Sequence, residues 1–162
     1  MAELTTLEEN LAEVLGLAQA AQGATEKVEG LEDAEKFADE LQTMRAEAEE
    51  TEKRCTDLAD DRDGKKTAIL DKAQETKTEA TEMMQTYLGS DADGLDGFEF
   101  LTMAEAGEVG HWAILGKLNE KAGEDEVREL VDWALPIQQR HFSDVQEASL
   151  TLAGDEDPYA EA

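Results

Sequence analysis

The chain is short of proline, cysteine, aromatic residues and positive charge, and each shortage removes a class of protein. Only two prolines and 5% aromatics, beside abundant Ala, Glu, Leu and Lys, argue against a sheet and for an all-helical fold. The single cysteine, Cys55, cannot form an internal disulfide, so a reducing cytoplasm is the expected setting. Fourteen basic residues against 41 acidic ones leave a formal charge of -27. That charge repels nucleic acid and anionic membranes, so neither is expected as a partner. The opening residues, Met1-Ala-Glu-Leu-Thr-Thr, carry no basic region and no long apolar run. They are expected to be neither a signal peptide nor a membrane span.

What is present is helical periodicity. At 162 residues the chain suits one domain with a continuous core. That domain is expected over 1–153, followed by an acidic, disordered tail from Gly154 (GDEDPYAEA). Five helices are expected, over about 5–28, 33–59, 65–88, 97–122 and 125–153. Thr5 or Thr6, with Glu8 or Glu9 three residues on, forms a capping box for the first. Asp33 is the expected cap of the second, and Asp96, with Glu99 three positions on, that of the fourth. Gly64 is the turn residue after Asp60-Asp-Arg-Asp. Pro136 lies inside the fifth helix and should kink it. The inward faces read Leu4, Leu7, Leu11, Val14, Leu15 and Ala18 on helix one, and Phe37, Leu41, Met44, Ala48, Thr51, Cys55 and Leu58 on helix two. Helix three has a thinner stripe (Ile69, Ala73, Thr76, Ala80, Met83, Met84, Tyr87) and should lie on the others. At about 24 residues it spans roughly 36 Å, enough to return the chain along a bundle.

Two stretches place polar groups where a core belongs. In AEAGEVGHWAIL, Ala104, Glu108, His111, Leu115 and Leu118 recur at steps of three and four, which predicts one inward face. Glu105 lies at its edge. On helix five, Gln138 and His141 stand among Val127, Leu130, Val131, Ala134, Ile137, Val145 and Leu152. Both histidines of the chain are therefore expected to point inward, each with a polar neighbour one turn earlier. Counting back from the turn between helices four and five sets His141 level with Glu105 and Glu108, near mid-bundle.

Two helical hairpins, a long crossover and an inward Glu-x-x-His (Glu108, His111) resemble the ferritin-like superfamily. The wording AEAGEVGHW and ALPIQQRHF resembles an uncharacterised bacterial branch of it. The resemblance implies an all-α, ferritin-like four-helix bundle with an additional crossover helix. Relatives of that fold hold two iron or manganese ions between the helices, on one Glu from each of two helices and Glu-x-x-His from the other two. Carried over residue by residue, helix four offers Glu105, Glu108 and His111. Helix five offers His141, with Gln138 where the pattern has Glu. Helix two has Ala48 and Thr51 at the corresponding spacing, and helix one has no carboxylate on its core face. A dinuclear site needs more anionic oxygens than these. Two readings remain: a reduced mononuclear site for iron, manganese or zinc on Glu105, Glu108, His111, Gln138 and His141, with a residual metal or redox role, or a non-catalytic scaffold or partner-binding protein in which the same groups hydrogen-bond one another.

Other patterns carry less. An EF-hand loop from Asp91 would need glycine at its sixth position and Glu at its twelfth, where Asp96 and Thr102 stand. A phosphotransfer histidine needs exposure and a lysine and small residue a turn later, whereas His111 is followed by Ile114 and Leu115. Ala104, Gly107 and Gly110 are expected to permit close helix contact, and Cys55 to be a small core residue. Trp133, off the core stripe, suits a homodimer contact or a shelf for helix three.

The acidity also suits a salt-rich cytoplasm, although the lysines outnumber the arginines. Self-repulsion at this charge should make stability rise with salt. Thermal midpoints should increase across roughly 0.01 to 1 M ionic strength, and a flat series would mean that the charges lie too far apart to interact.

Overall fold

The computed structural model describes residues 2–162. Its helices are α1 (Thr6–Glu29), α2 (Ala38–Asp60), α3 (Lys66–Tyr87), α4 (Gly94–Ala122) and α5 (Asp125–Gly154), with a 3-10 turn at Glu35–Phe37 before α2. No strand occurs among the described residues, and no helix is long and apolar enough to cross a membrane.

The ends of the helices follow from local chemistry. Thr5 caps α1: its hydroxyl accepts from Glu8 N at 3.2 Å, and Glu8 Oε2 accepts from Thr5 N at 2.8 Å. The expected caps of the second and fourth helices are displaced. Asp33 adopts a left-handed φ of 68°, so the chain turns there and α2 starts five residues later without a side-chain cap. Helix α4 starts at Gly94, capped by Asp93, and Asp96 is the reciprocal third-position partner of that box. The earlier start is possible because the residue is glycine: Gly94 N donates to Glu32 O at 2.7 Å, where a Cβ would meet the same oxygen at 2.7 Å. Gly64 takes the left-handed turn expected of it, with φ 72°. Helix α5 runs unbroken through Pro136, and residues 155–162 are exposed throughout.

Helix α1 packs against α2, α3 and α4, while α5 lies along α4 and also meets α2. Helix α3 lies mainly on α1, as its thin stripe predicted, and only Ala68, Ile69 and Ala73 within it are buried. The close approach depends on Gly16 of α1, where a Cβ would fall 2.4 Å from Ala73 O and 2.7 Å from Thr76 Cβ. The glycines expected to serve that purpose do not: nothing lies within 4 Å of a Cβ at Gly107 or Gly110. Trp133 is half-buried against the first apolar cluster. Its ring lies under the Arg54 guanidinium of α2, 4.0 Å from the centroid.

The core divides into two apolar clusters along the bundle. One gathers Leu11, Leu15, Cys55, Ile69, Trp112 and Val131, and the other Val28, Leu41, Met44, Phe98, Leu101 and Val145. On α2 the residues between them are Ala48 and Thr51, on α4 Glu105 and Glu108, and on α5 Gln138 and His141, all buried. A polar layer thus separates two apolar cores. One carboxylate that was not expected inside helix one is also buried, Glu8, which pairs with Arg62 at 3.2 Å and Lys65 at 3.4 Å. Those partners and the backbone bond to Thr5 outweigh burial, and hold its carboxyl below the ordinary range.

The two kinds of glycine should separate in urea unfolding. Gly16→Ala forces α3 away from α1 and should cost about 1–3 kcal/mol. Gly107→Ala adds helix propensity in open space and should gain about 0.5–1 kcal/mol. Equal effects would mean that the α1–α3 contact is not set by Gly16.

Candidate functional site

The inward face of α4 is Leu101, Glu105, Glu108, Trp112, Leu115 and Asn119, all buried. These positions also recur at steps of four and three, and they share Glu108 and Leu115 with the stripe read from the sequence. The difference lies in which neighbour turns in. Trp112, 1% exposed, takes the core position beside the first apolar cluster, because burying an indole removes far more apolar area from water than burying an imidazole.

His111 is displaced accordingly. Its side chain is 39% exposed and lies 3.4 Å from Glu13 of α1 through Nδ1, which has no hydrogen-bond partner. The expectation that His111 would point inward and join His141 is therefore corrected: it lies against α1, whereas His141 faces α2. The exposure also removes one objection to a phosphotransfer role, but Ile114 and Leu115 still occupy the positions where such a site needs lysine and a small residue.

The other four expected residues do come together. His141, 2% exposed, sets Nε2 3.3 Å from Glu47 Oε1 and Nδ1 3.7 Å from Glu105 Oε2. The Gln138 amide, oriented so that nitrogen and not oxygen meets the carboxyls, donates to Glu105 Oε2 at 2.9 Å and Glu108 Oε2 at 3.2 Å. Glu47 of α2 is the group that the sequence did not single out. Its carboxylate also pairs with Arg140. The available signal was Arg140 beside His141, a cation next to the inward stripe of an acidic protein. On the remaining side, Glu52 accepts from Gln19 at 3.2 Å and Gln22 at 2.5 Å, joining α1 to α2.

The electrostatics of this layer are unequal. Burial pushes the Glu108 carboxyl well above its ordinary range, and the charge of Glu105 adds to the effect. Burial alone would lower His141, but Glu105 and then Glu47 outweigh it, so the imidazole holds its proton above its usual value. As imidazolium, both ring nitrogens are donors, one toward each carboxylate. In this layer one amide serves both carboxyls, and the His141 ring lies between Glu105 and Glu47.

As a metal centre the set falls short. Among the described residues, no three His, Cys, Asp or Glu side chains stand together so as to hold an ion. His111 is turned away toward Glu13, which leaves His141 as the one imidazole beside the two carboxyls of α4. The residues present do not fit the metal that the ferritin-like resemblance implies. Cys55 is a core residue, with burial and then Glu52 raising its thiol pKa far out of the reactive range. Compared with known proteins, the chain matches no family model and no curated protein.

The sign of the Glu108 effect can be tested. A carboxyl whose folded pKa is raised binds its proton more tightly when folded, so stability falls as pH rises from the unfolded value of about 4.3 through the folded one. Glu108→Gln lacks that loss. Its stability relative to the unaltered protein, followed by chemical denaturation, should grow as pH rises from about 4 to 8, since both carry the same His141. A difference that stays constant with pH would mean that Glu108 ionises as it does in water.

Proposed function

We propose that this is a non-catalytic binding protein built as a ferritin-like bundle, in which the mid-bundle polar layer serves the fold and no longer holds metal. In that reading α1, α2, α4 and α5 form the four-helix bundle and α3 is the crossover. What supports the architecture is the packing of α1 on α2 and α4, of α5 on α4 and α2, and the position of α3 on α1. The layer lies between the helices, as the ions do in relatives of that fold. Here one neutral amide takes both carboxyls. That arrangement of Gln138 between Glu105 and Glu108 carries the proposal.

The chemistry behind it is that buried carboxyls need either cations or donors. A metal supplies two positive charges. Gln138 and His141 supply hydrogen-bond donors and one positive charge, which suffices when Glu108 keeps its proton. Such a layer gives each carboxyl a donor without gathering a set of ligands for an ion, and so without a place for dioxygen or a substrate to bind one. The bundle then acts through its surfaces and grooves.

Elemental analysis tests this directly. Protein purified without added metal, and protein incubated with ferrous, manganous or zinc salts and then desalted, should carry far less than one ion per chain. One retained ion per chain, lost in Glu108→Ala, would overturn the proposal and favour the mononuclear reading.

A further inference from the structure

The polar layer has a second face. Between α1, α3 and α4 lies a cavity of about 290 Å³, with Ala21 and Ala24 on one wall, Ala80 and Met84 on another and Ala104 and Gly107 on the third. Glu105 and Glu108 line it as well, and His111 closes one side. The walls are small residues and methionines. Facing alanines leave a trough that larger side chains would have filled, and the thioethers of Met83 (67% exposed) and Met103 (52% exposed) edge its mouth. A Cβ at Gly107 would meet nothing within 4 Å. The trough is therefore open space beside α4.

At its base is a carboxyl with unused capacity. Glu108 is 4% exposed, and one of its oxygens accepts from Gln138. Among the described residues no donor is hydrogen-bonded to the other. An acidic group, nine-tenths buried and lining an apolar pocket, selects its ligand by charge and by shape together. A fatty acid would bring a third carboxylate to Glu105 and Glu108 and approach a chain of charge -27. An amine brings the opposite charge at both distances.

We propose that the groove between α1, α3 and α4 binds a small apolar amine, its ammonium group at Glu108 and Glu105 and its hydrocarbon body against Ala21, Ala80, Met84 and Ala104. The ammonium donates to the free Glu108 oxygen, and the alkyl chain covers the methionines that otherwise face water. A cation there also favours the ionised form of Glu108, which burial opposes in the empty protein. The inference deepens the reading as a binding protein and rests on it. The two fail separately: a retained metal ion would sink the metal-free layer whether or not amine binds, and loss of amine binding would sink the groove alone.

Calorimetric titration of the full chain with octylamine, octanol and octanoate, at neutral pH and below micelle-forming concentrations, tests it. A charge-assisted hydrogen bond should make octylamine bind roughly tenfold to a hundredfold more tightly than octanol, with no measurable octanoate binding. Glu108→Gln should reduce octylamine to the level of octanol. Gly107→Trp, which sends an indole into the trough, should abolish binding of both, with a melting curve confirming that it is folded. Equal binding of all three probes, binding of none, or octylamine affinity unchanged in both variants would each overturn the proposal. The last would mean that the amine is held by the acidic surface.

Discussion

Glu105 and Glu108 lie on one face of α4 in the interior of the protein, one turn apart, and the amide of Gln138 reaches both. Everything around that contact depends on its being made. Two carboxyls removed from water without donors would each cost on the order of 1–3 kcal/mol, and more if ionised. The amide must come from α5 at the right height, so α4 and α5 have one register in which the layer closes. The two-residue turn between them enforces it. Gly123 takes the left-handed conformation, with φ 66°. The Asn119 side chain then bridges to Glu124, donating to its carbonyl at 2.9 Å and accepting from its N–H at 3.2 Å. Shifted by one residue, α5 would present Ile137 or Gln139 to the carboxyls and displace Val131 and Val145 from the two apolar clusters.

Much of this was legible in the residues. The five helices follow from periodicity and punctuation, with Thr5, Gly64 and Gly123 acting as capping and turn chemistry predicts. The inward faces of α2 and α5 agree almost position by position with the burial observed, whereas α1, gripped by three helices, also buries Glu8, Ala12, Gly16, Ala24 and Val28. Helix α4 was harder. Its stripe of 101, 105, 108, 112, 115 and 119 competes with 104, 108, 111, 115 and 118 at the same spacing. Periodicity alone does not separate two phases that share residues. The size of Trp112 does, because the larger apolar area takes the interior. His111 followed as the neighbour that must turn out. The starts of α2 and α4 were misplaced for another reason. Asp33 and Asp96 both look like caps, but which Asp caps α4 depends on Gly94 packing against the backbone of Glu32, a contact between residues 62 positions apart that no local pattern contains.

The scarcity of positive charge gives each arginine unusual weight. Arg62, in the link between α2 and α3, pairs with Glu8 at the start of α1 and with Glu124 at the start of α5, at 3.2 and 2.7 Å. One guanidinium thus ties three separate segments at the same end of the molecule. Glu124 and then Glu8 outweigh burial to hold it charged. Arg45 does similar work between α2 and Glu29 of α1, and Arg140 between α5 and Glu47 of α2. In each case an acid that burial or crowding would penalise has its own counter-ion, while most surface acids face water.

Helix α3 differs along its length in a way that bears on motion. Its first half is pinned by Ile69 and Ala73 against α1, and Lys65 at its start pairs with Glu8. Its second half, from Gln74 to Tyr87, contains no fully buried residue. Leu88, just past its end, is buried in the second apolar cluster, so the sparsely buried stretch is a span seated between two anchors. The free energy needed to lift that span is set by a few partial contacts and not by the global stability of the protein. Such a lift would swing Ala80, Met83 and Met84 away from α4 and widen the groove that Glu105 and Glu108 line, while the contacts of Gln138 and His141 involve no residue of α3. A sparsely buried stretch of helix and the most deeply buried polar contacts thus lie on separate parts of the chain.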